Sequence, residues 1–212
     1  MLLRASLPER QKSTYIPADP TDARAFRPSM RPYVLSGLHA PEPLSECQRP
    51  HGLKATSSGR AIAFSAWRLL PDYASVNLSE GDAPAVIDLL YAMGVGVEAG
   101  LTTVEDAKRF VALPNCRRAL RILIEIELQD LAKADAIAEG IAQVLERAKI
   151  GRPILLHGFD ATVWHFVRRA HQLRWSTRVG LEDGRQRSNG ETASENADLI
   201  LDAVQIFRPI PS

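Results

Sequence analysis

The chain has few of the residues that mark a secreted or metal-clustered protein. It contains only two cysteines, Cys47 and Cys116, in 212 residues. Two cysteines are too few for a disulfide framework, and their separation matches no zinc-binding spacing. Because stable disulfides belong to oxidising compartments, we expect a protein of the reducing cytoplasm.

An excess of one charge and long apolar runs are also lacking. The 26 Lys and Arg residues nearly balance the 25 Asp and Glu residues, so there is no electrostatic footprint for nucleic acid or for an anionic membrane. The longest apolar runs, residues 87–96 and 122–126, are too short or too interrupted to cross a bilayer. Arg4 and Pro8 interrupt the first ten residues before the apolar region of an export signal can form. We expect neither nucleic acid nor a membrane as a partner.

Proline is concentrated near the beginning of the chain. Eight of the 14 prolines lie in the first 50 residues, where no apolar period is sustained. This composition predicts an irregular, proline-rich segment over residues 1–60. A short helix is predicted around residues 60–70, and the folded domain is predicted over residues 61–212.

From Tyr73 onward, short apolar strands alternate with longer amphipathic helices. The predicted strands are Tyr73–Leu78, Val95–Glu98, Arg121–Ile126, Pro153–His157 and Thr177–Leu181. This alternation is typical of a parallel sheet built from βα units. We predict an α/β fold of the TIM-type (β/α) barrel kind. The barrel is expected to be incomplete, because five units fill only part of the eight-unit pattern.

Helix boundaries are visible between these strands. Asp82 and Pro84 favour the start of one helix. Thr102 and Thr103, followed three residues later by Glu105 and Asp106, resemble a capping box at the start of the next. Apolar residues recur at three- and four-residue steps over residues 131–149, which predicts the longest helix. Asp160 and Ser194 are the candidate caps of the last two helices.

Polar residues follow or end most of the predicted strands. They are Asn77, Glu98, Glu125 or Glu127, His157, Glu182 and Asp183. The carboxyl ends of parallel strands meet at one edge, and barrel enzymes keep their chemistry there. Each acid could be a ligand or proton-transfer group, or could instead cap a helix or pair with an arginine. The sequence pattern leaves both interpretations open.

Several of these segments match a known family in order and spacing. They are Ser75-Val76-Asn77-Leu78-Ser79-Glu80, Gly94-Val95-Gly96-Val97-Glu98-Ala99-Gly100-Leu101, Ile122-Leu123-Ile124-Glu125, Leu156-His157-Gly158 and Arg178-Val179-Gly180-Leu181-Glu182-Asp183. From about Trp67 to Phe207 the chain resembles the β-keto acid cleavage enzymes, the 3-keto-5-aminohexanoate cleavage protein family.

The resemblance implies a zinc-dependent acyltransferase with a barrel fold. Such an enzyme condenses a β-keto acid with acetyl-CoA and splits the adduct by a retro-Claisen step, which gives acetoacetate and a new CoA thioester. Carried over by position, Glu182 resembles a zinc ligand, and Arg178 and Asp183 resemble the dyad that removes a proton from the keto acid. The residues expected to hold the substrate are Ser75, Asn77 and Glu98.

The family pattern is incomplete in this chain. The family takes two further zinc ligands from a His-x-His pair on an early strand, and it has an acidic residue on its first strand. Neither is found in this sequence. Two alternatives therefore stay open. One is a non-catalytic partial barrel that lacks its metal site and serves as a binding or assembly module. The other is a metal-assisted lyase that acts on keto acids without CoA.

An incomplete barrel also has consequences for association. An open sheet of five units exposes strand edges and apolar faces. We therefore expect self-association, as a homo-oligomer, unless the first 70 residues or a second chain cover those edges.

Overall fold

The computed structural model describes residues 14–16, 32–34 and 70–207. The strands in these ranges are β1 (Thr14–Ile16), β2 (Pro32–Val34), β3 (Tyr73–Asn77), β4 (Gly96–Leu101), β5 (Arg121–Ile126), β6 (Ile154–Gly158) and β7 (Thr177–Val179). The helices are α1 (Ala83–Ala92), α2 (Val104–Val111), α3 (Leu131–Arg147), α4 (Val163–Leu173) and α5 (Asn196–Phe207). The domain boundary predicted at residue 60 and nearly all of the helix predicted at residues 60–70 lie outside the described residues.

The described residues form two compact units. The first contains β2 with residues 70–126 and 132–154. The second contains β1 with residues 127–131 and 155–207. In the described part of the chain, no helix combines the length and the apolar character needed to cross a bilayer.

The first unit is built on a parallel sheet in which β2, β3, β4 and β5 lie side by side in that order. The pairing register places Ser75 opposite Glu98, and Glu98 opposite Arg121. Helices alternate with these strands, so the predicted α/β class is confirmed. Closure of the strands into a barrel remains a prediction.

The two faces of this sheet differ because successive side chains point to opposite sides of a strand. One face carries apolar side chains that are fully buried or nearly so, and α1 and α2 contact the strands that carry most of them. These residues are Ala74, Val76, Val97, Ala99, Leu101, Ile122, Ile124 and Ile126. The opposite face carries polar residues, among them Ser75, Glu98 and Arg121. Tyr73 and Leu123 on that face are also buried, so the core extends to both sides of the sheet, whereas the polar residues lie on one side.

Two helix boundaries confirm their sequence signals. At the start of α2, Thr103 Oγ1 accepts a hydrogen bond from the Asp106 amide at 3.1 Å. The Asp106 carboxylate accepts one from the Thr103 amide at 3.0 Å, which completes the predicted capping box. After α1, Gly94 adopts φ +78°, a left-handed conformation in which glycine has no Cβ to clash.

In the second unit, α4 connects β6 to β7. A parallel bridge joins Leu155 to Ser176, and Thr177 Oγ1 donates a hydrogen bond to the Leu156 carbonyl at 2.8 Å. On its other side, β7 pairs antiparallel with β1, with Tyr15 opposite Arg178. An all-parallel barrel contains no antiparallel pair, so this pairing departs from the predicted pattern.

Three details differ from the sequence expectations. β4 continues to Leu101, so Glu98 lies in mid-strand instead of at the carboxyl end, because Ala99 and Gly100 extend the strand. β7 ends at Val179, which places Glu182 and Asp183 in the turn that follows. The segment predicted to be irregular contains β1 and β2.

Candidate functional site

The first polar cluster lies on the polar face of the sheet in the first unit. Ser75, Glu98 and Arg121 form a row across three adjacent strands, because the register places them opposite one another. Ser75 is 4% exposed and Glu98 is 3% exposed. A carboxylate this deeply buried must be hydrogen-bonded or paired with a cation to remain ionised.

Glu98 has both kinds of partner. The Ser75 hydroxyl donates a hydrogen bond to Glu98 Oε1, and the Arg121 guanidinium forms an ion pair with Glu98 Oε2. Arg121 Nη2 also donates to the Tyr73 hydroxyl at 2.9 Å, and its guanidinium lies 4.9 Å from the centre of the Tyr73 ring. Two predicted substrate residues, Ser75 and Glu98, are thus brought together.

Arg121 and Tyr73 were not singled out from the sequence as members of this site. The signal was present, because Arg121 alternates with the buried Ile122 and must point to the same face as Glu98. A cation at the start of a mainly apolar strand indicates a buried ion pair.

Asn77 ends β3 on the same face, and it is half-buried. It lies opposite Gly100 in the register. A Cβ at position 100 would collide with the Asn77 side-chain oxygen, so only glycine at that position leaves Asn77 its space. The structure therefore explains why position 100, opposite Asn77, is a glycine. A substrate contact by Asn77 remains a prediction.

The second polar cluster lies in the second unit and consists of His157, Arg178 and Asp183. Arg178 Nη2 lies 3.5 Å from Asp183 Oδ1, and His157 Nδ1 lies 3.8 Å from the same oxygen. Asp183 is 2% exposed and His157 is 1% exposed. The pair implied by the family resemblance, Arg178 and Asp183, is close in space, and His157 joins it.

The backbone fixes the position of Asp183. Its amide donates to the Gly180 carbonyl at 2.9 Å, which closes a tight turn after β7. Its carbonyl accepts from the Asp160 amide at 2.7 Å, at the entrance to α4. Because both backbone groups are bonded, the carboxylate is held at a defined place beside Arg178.

Glu182 lies next to Asp183 in the chain but differs from it in environment, because its side chain is exposed on the turn. Within the ranges that the structure describes, no three His, Cys, Asp or Glu residues are grouped so that they could hold a metal ion. A catalytic zinc takes three protein ligands in characterised sites. The described residues therefore do not by themselves form the predicted zinc site.

The remaining rim residues are dispersed. Glu125 is half-buried one residue before the end of β5, and Glu127 is exposed just beyond that end. The predicted site residues fall into two groups, one in each unit: Ser75, Asn77 and Glu98 in the first, and Arg178, Glu182 and Asp183 in the second.

No protein-family model matches the chain, and no curated protein matches it.

Proposed function

We propose that the chain is an acyltransferase that cleaves a β-keto acid, with Asp183 as the base. The observation that carries this proposal is the buried arrangement in which Arg178 and His157 both approach one oxygen of the Asp183 carboxylate. A neighbouring guanidinium favours the ionised form of a carboxylate, which is the form that accepts a proton.

The reaction can be written with this base. Asp183 removes a proton from the carbon between the two carbonyl groups of the keto acid. That carbon attacks the thioester carbonyl of acetyl-CoA, a C–C bond forms, and the C–S bond breaks. The CoA thiolate then attacks the original keto carbonyl and the old C–C bond breaks. The departing acetoacetate carbanion takes the proton back from Asp183, so atoms and charge balance.

Ser75, Asn77 and Glu98 are proposed to hold the substrate. In this role Arg121 sets the direction of the Glu98 carboxylate, because one of its nitrogens pairs with Glu98 and another donates to Tyr73. The substrate is a small carboxylate, and the proposed partners are a β-keto acid and acetyl-CoA.

The family resemblance also implies zinc, which when bound polarises a keto oxygen and stabilises the enolate. Among the described residues, Glu182 is the only one of the implied zinc ligands, so the reaction is written without a metal ion.

Metal analysis tests the implied zinc separately. If zinc binds through Glu182, the purified protein carries about one ion per chain, and Glu182→Ala loses both the ion and the activity. Full activity of metal-free protein would contradict it.

The proposal has two rivals. The exposed position of Glu182 favours the non-catalytic binding or assembly module, whereas the buried dyad favours the enzyme. The third candidate is the lyase that needs no CoA.

Incubation with acetyl-CoA and a panel of β-keto acids separates the three. The acyltransferase yields acetoacetate and a new CoA thioester in equal amounts. The lyase consumes keto acid without acetyl-CoA, and the binding module consumes nothing. Either of the last two results would overturn the proposal.

A further inference from the structure

The segment between β7 and α5 is folded into a turn followed by a hairpin. The turn contains Glu182 and Asp183. Residues 185–193 then form the hairpin, in which the Ala193 amide donates to the Arg185 carbonyl at 2.8 Å and the Arg187 amide donates to the Glu191 carbonyl at 2.7 Å. Only Gly184 separates Asp183 from the hairpin.

Helix α5 holds the turn through its first residue. The side-chain oxygen of Asn196 accepts a hydrogen bond from the Leu181 amide at 2.8 Å. Leu181 immediately precedes Glu182 and Asp183. The Asn196 side chain is therefore attached to the backbone of the proposed catalytic turn.

The same helix holds the hairpin through Asp202. One Asp202 oxygen accepts from Arg187 Nη2 at 2.7 Å, and the other accepts from the Ser188 amide at 2.9 Å and the Ser188 hydroxyl at 3.0 Å. Asp202 is 4% exposed. The Arg187 hydrogen bond, with those of Ser188, holds the pKa of Asp202 below its ordinary value. The buried Asp202 carboxylate thus binds the hairpin to α5 through three donor groups, and hydrogen bonds to an ionised carboxylate are stronger than those between neutral groups.

We infer that Asn196 and Asp202 are positioning residues, which place the turn of Leu181, Glu182 and Asp183 by binding it and its hairpin to α5. This inference rests on the proposed function for its effect on turnover, because it assumes that Asp183 is the base. Neither residue touches the reacting atoms.

The first test measures the amide hydrogen exchange of Leu181 and Ser188 by NMR in the full-length protein. Asn196→Ala removes the acceptor of the Leu181 amide, and we expect that amide to exchange about fivefold faster or more. Asn196→Asp keeps an oxygen at the same place and should restore slow exchange. Gln205→Ala removes an exposed amide side chain from the same helix, and it should change nothing.

Asp202→Asn is the second variant, and it keeps the inference testable if Asn196→Ala does not fold. We expect faster exchange of the Ser188 amide and of the turn. The matched control is Asp198→Asn, because Asp198 lies on the same helix but bonds to Ser194 and not to the hairpin.

Turnover provides the second measurement. If the turn is displaced, kcat for CoA-thioester formation falls about tenfold or more in Asn196→Ala and Asp202→Asn, while KM changes little. Exchange and kcat that stay within twofold of the wild type in both variants would overturn the inference. A wild-type protein without any turnover would instead overturn the proposed function. The amide exchange rates alone would then decide whether Asn196 and Asp202 position the turn.

Discussion

Glu98 is a buried carboxylate whose charge is matched by Arg121. Glu98→Gln keeps the shape of the side chain but leaves the Arg121 guanidinium without its counter-charge. Removing one member of a buried ion pair costs roughly 3 kcal/mol or more. We therefore expect the free energy of unfolding, measured by urea denaturation, to fall by about that amount.

A matched control comes from an exposed pair. Glu105 and Lys108 lie 3.3 Å apart with both side chains more than half exposed. Glu105→Gln should change the free energy of unfolding by less than about 0.5 kcal/mol. Similar effects of the two substitutions would contradict a buried, charge-dependent role for Glu98.

Asp202 predicts a specific dependence of stability on pH. Its pKa in the folded protein is held below its ordinary value, chiefly by the Arg187 hydrogen bond. The contribution of Asp202 is therefore fully present above the pKa of the unfolded chain, and it is lost as the pH falls through the lowered folded pKa. The stability gap between wild type and Asp202→Asn should be largest near pH 7 and should shrink below about pH 4. Urea denaturation over this range measures it, and a gap independent of pH would argue against the ion pair.

The residues of the two clusters were only partly visible in the sequence. Ser75, Glu98, Arg178 and Asp183 were identified from motifs, and the structure brings them together in two pairs. Asp202 was missed because it lies inside an apolar helical stripe. Its position three residues after Leu199 and five before Phe207, both buried, was the available signal, because a carboxylate on a buried helix face requires partners.

Strand β6 and helix α4 are in close contact at Gly158. A Cβ at this position would lie 2.6 Å from an atom of the Phe166 ring and would also collide with the Thr162 hydroxyl. Overpacking of a well-packed core costs about 1–3 kcal/mol. We expect Gly158→Ala to lower the free energy of unfolding by that amount in chemical denaturation.

Gly151 is the control for this substitution. A Cβ at that position meets nothing within 4 Å, and the residue is exposed in a loop. Gly151→Ala should leave the free energy of unfolding nearly unchanged. Equal losses from the two substitutions would show that Gly158 is not a packing contact.

The sequence predicted the elements well wherever a hydrophobic pattern was sustained. β5 begins and ends at the predicted residues, and α3 begins at Leu131 as expected. The prediction ended the strand of β4 at Glu98, three residues before its end at Leu101, and the strand of β7 at Leu181, two residues beyond its end at Val179. Both segments contain a glycine near the end, and glycine weakens a strand without deciding where it stops. β1 and β2 were missed because three residues are too few to display a period of two.

The short strands β1 and β2 bear on the association of the whole chain. β1 pairs with β7, and β2 pairs with β3. One edge of β7 and one edge of β3 are therefore covered by a strand from the first 70 residues. An unpaired strand edge is a template for association. Whether the chain forms the expected homo-oligomer remains a prediction.

Substitution of Tyr15 tests the importance of the β1 pairing. Tyr15→Pro removes a backbone N–H and constrains the strand, whereas Tyr15→Thr keeps both the N–H and a strand-forming residue. We expect Tyr15→Pro to shift the protein towards larger species in analytical ultracentrifugation and Tyr15→Thr to behave as wild type. Identical sedimentation of the two variants would contradict a protective role for β1.

The most direct test of the proposed chemistry is the rate of CoA-thioester formation with and without the Asp183 carboxylate. Asp183→Asn keeps the side-chain shape but cannot accept the proton, and Glu105→Gln on the exposed surface of α2 is the control. We predict that the rate falls by about 10² to 10⁴ in Asp183→Asn and stays unchanged in Glu105→Gln. A folded Asp183→Asn protein with the wild-type rate would show that this carboxylate is not the base.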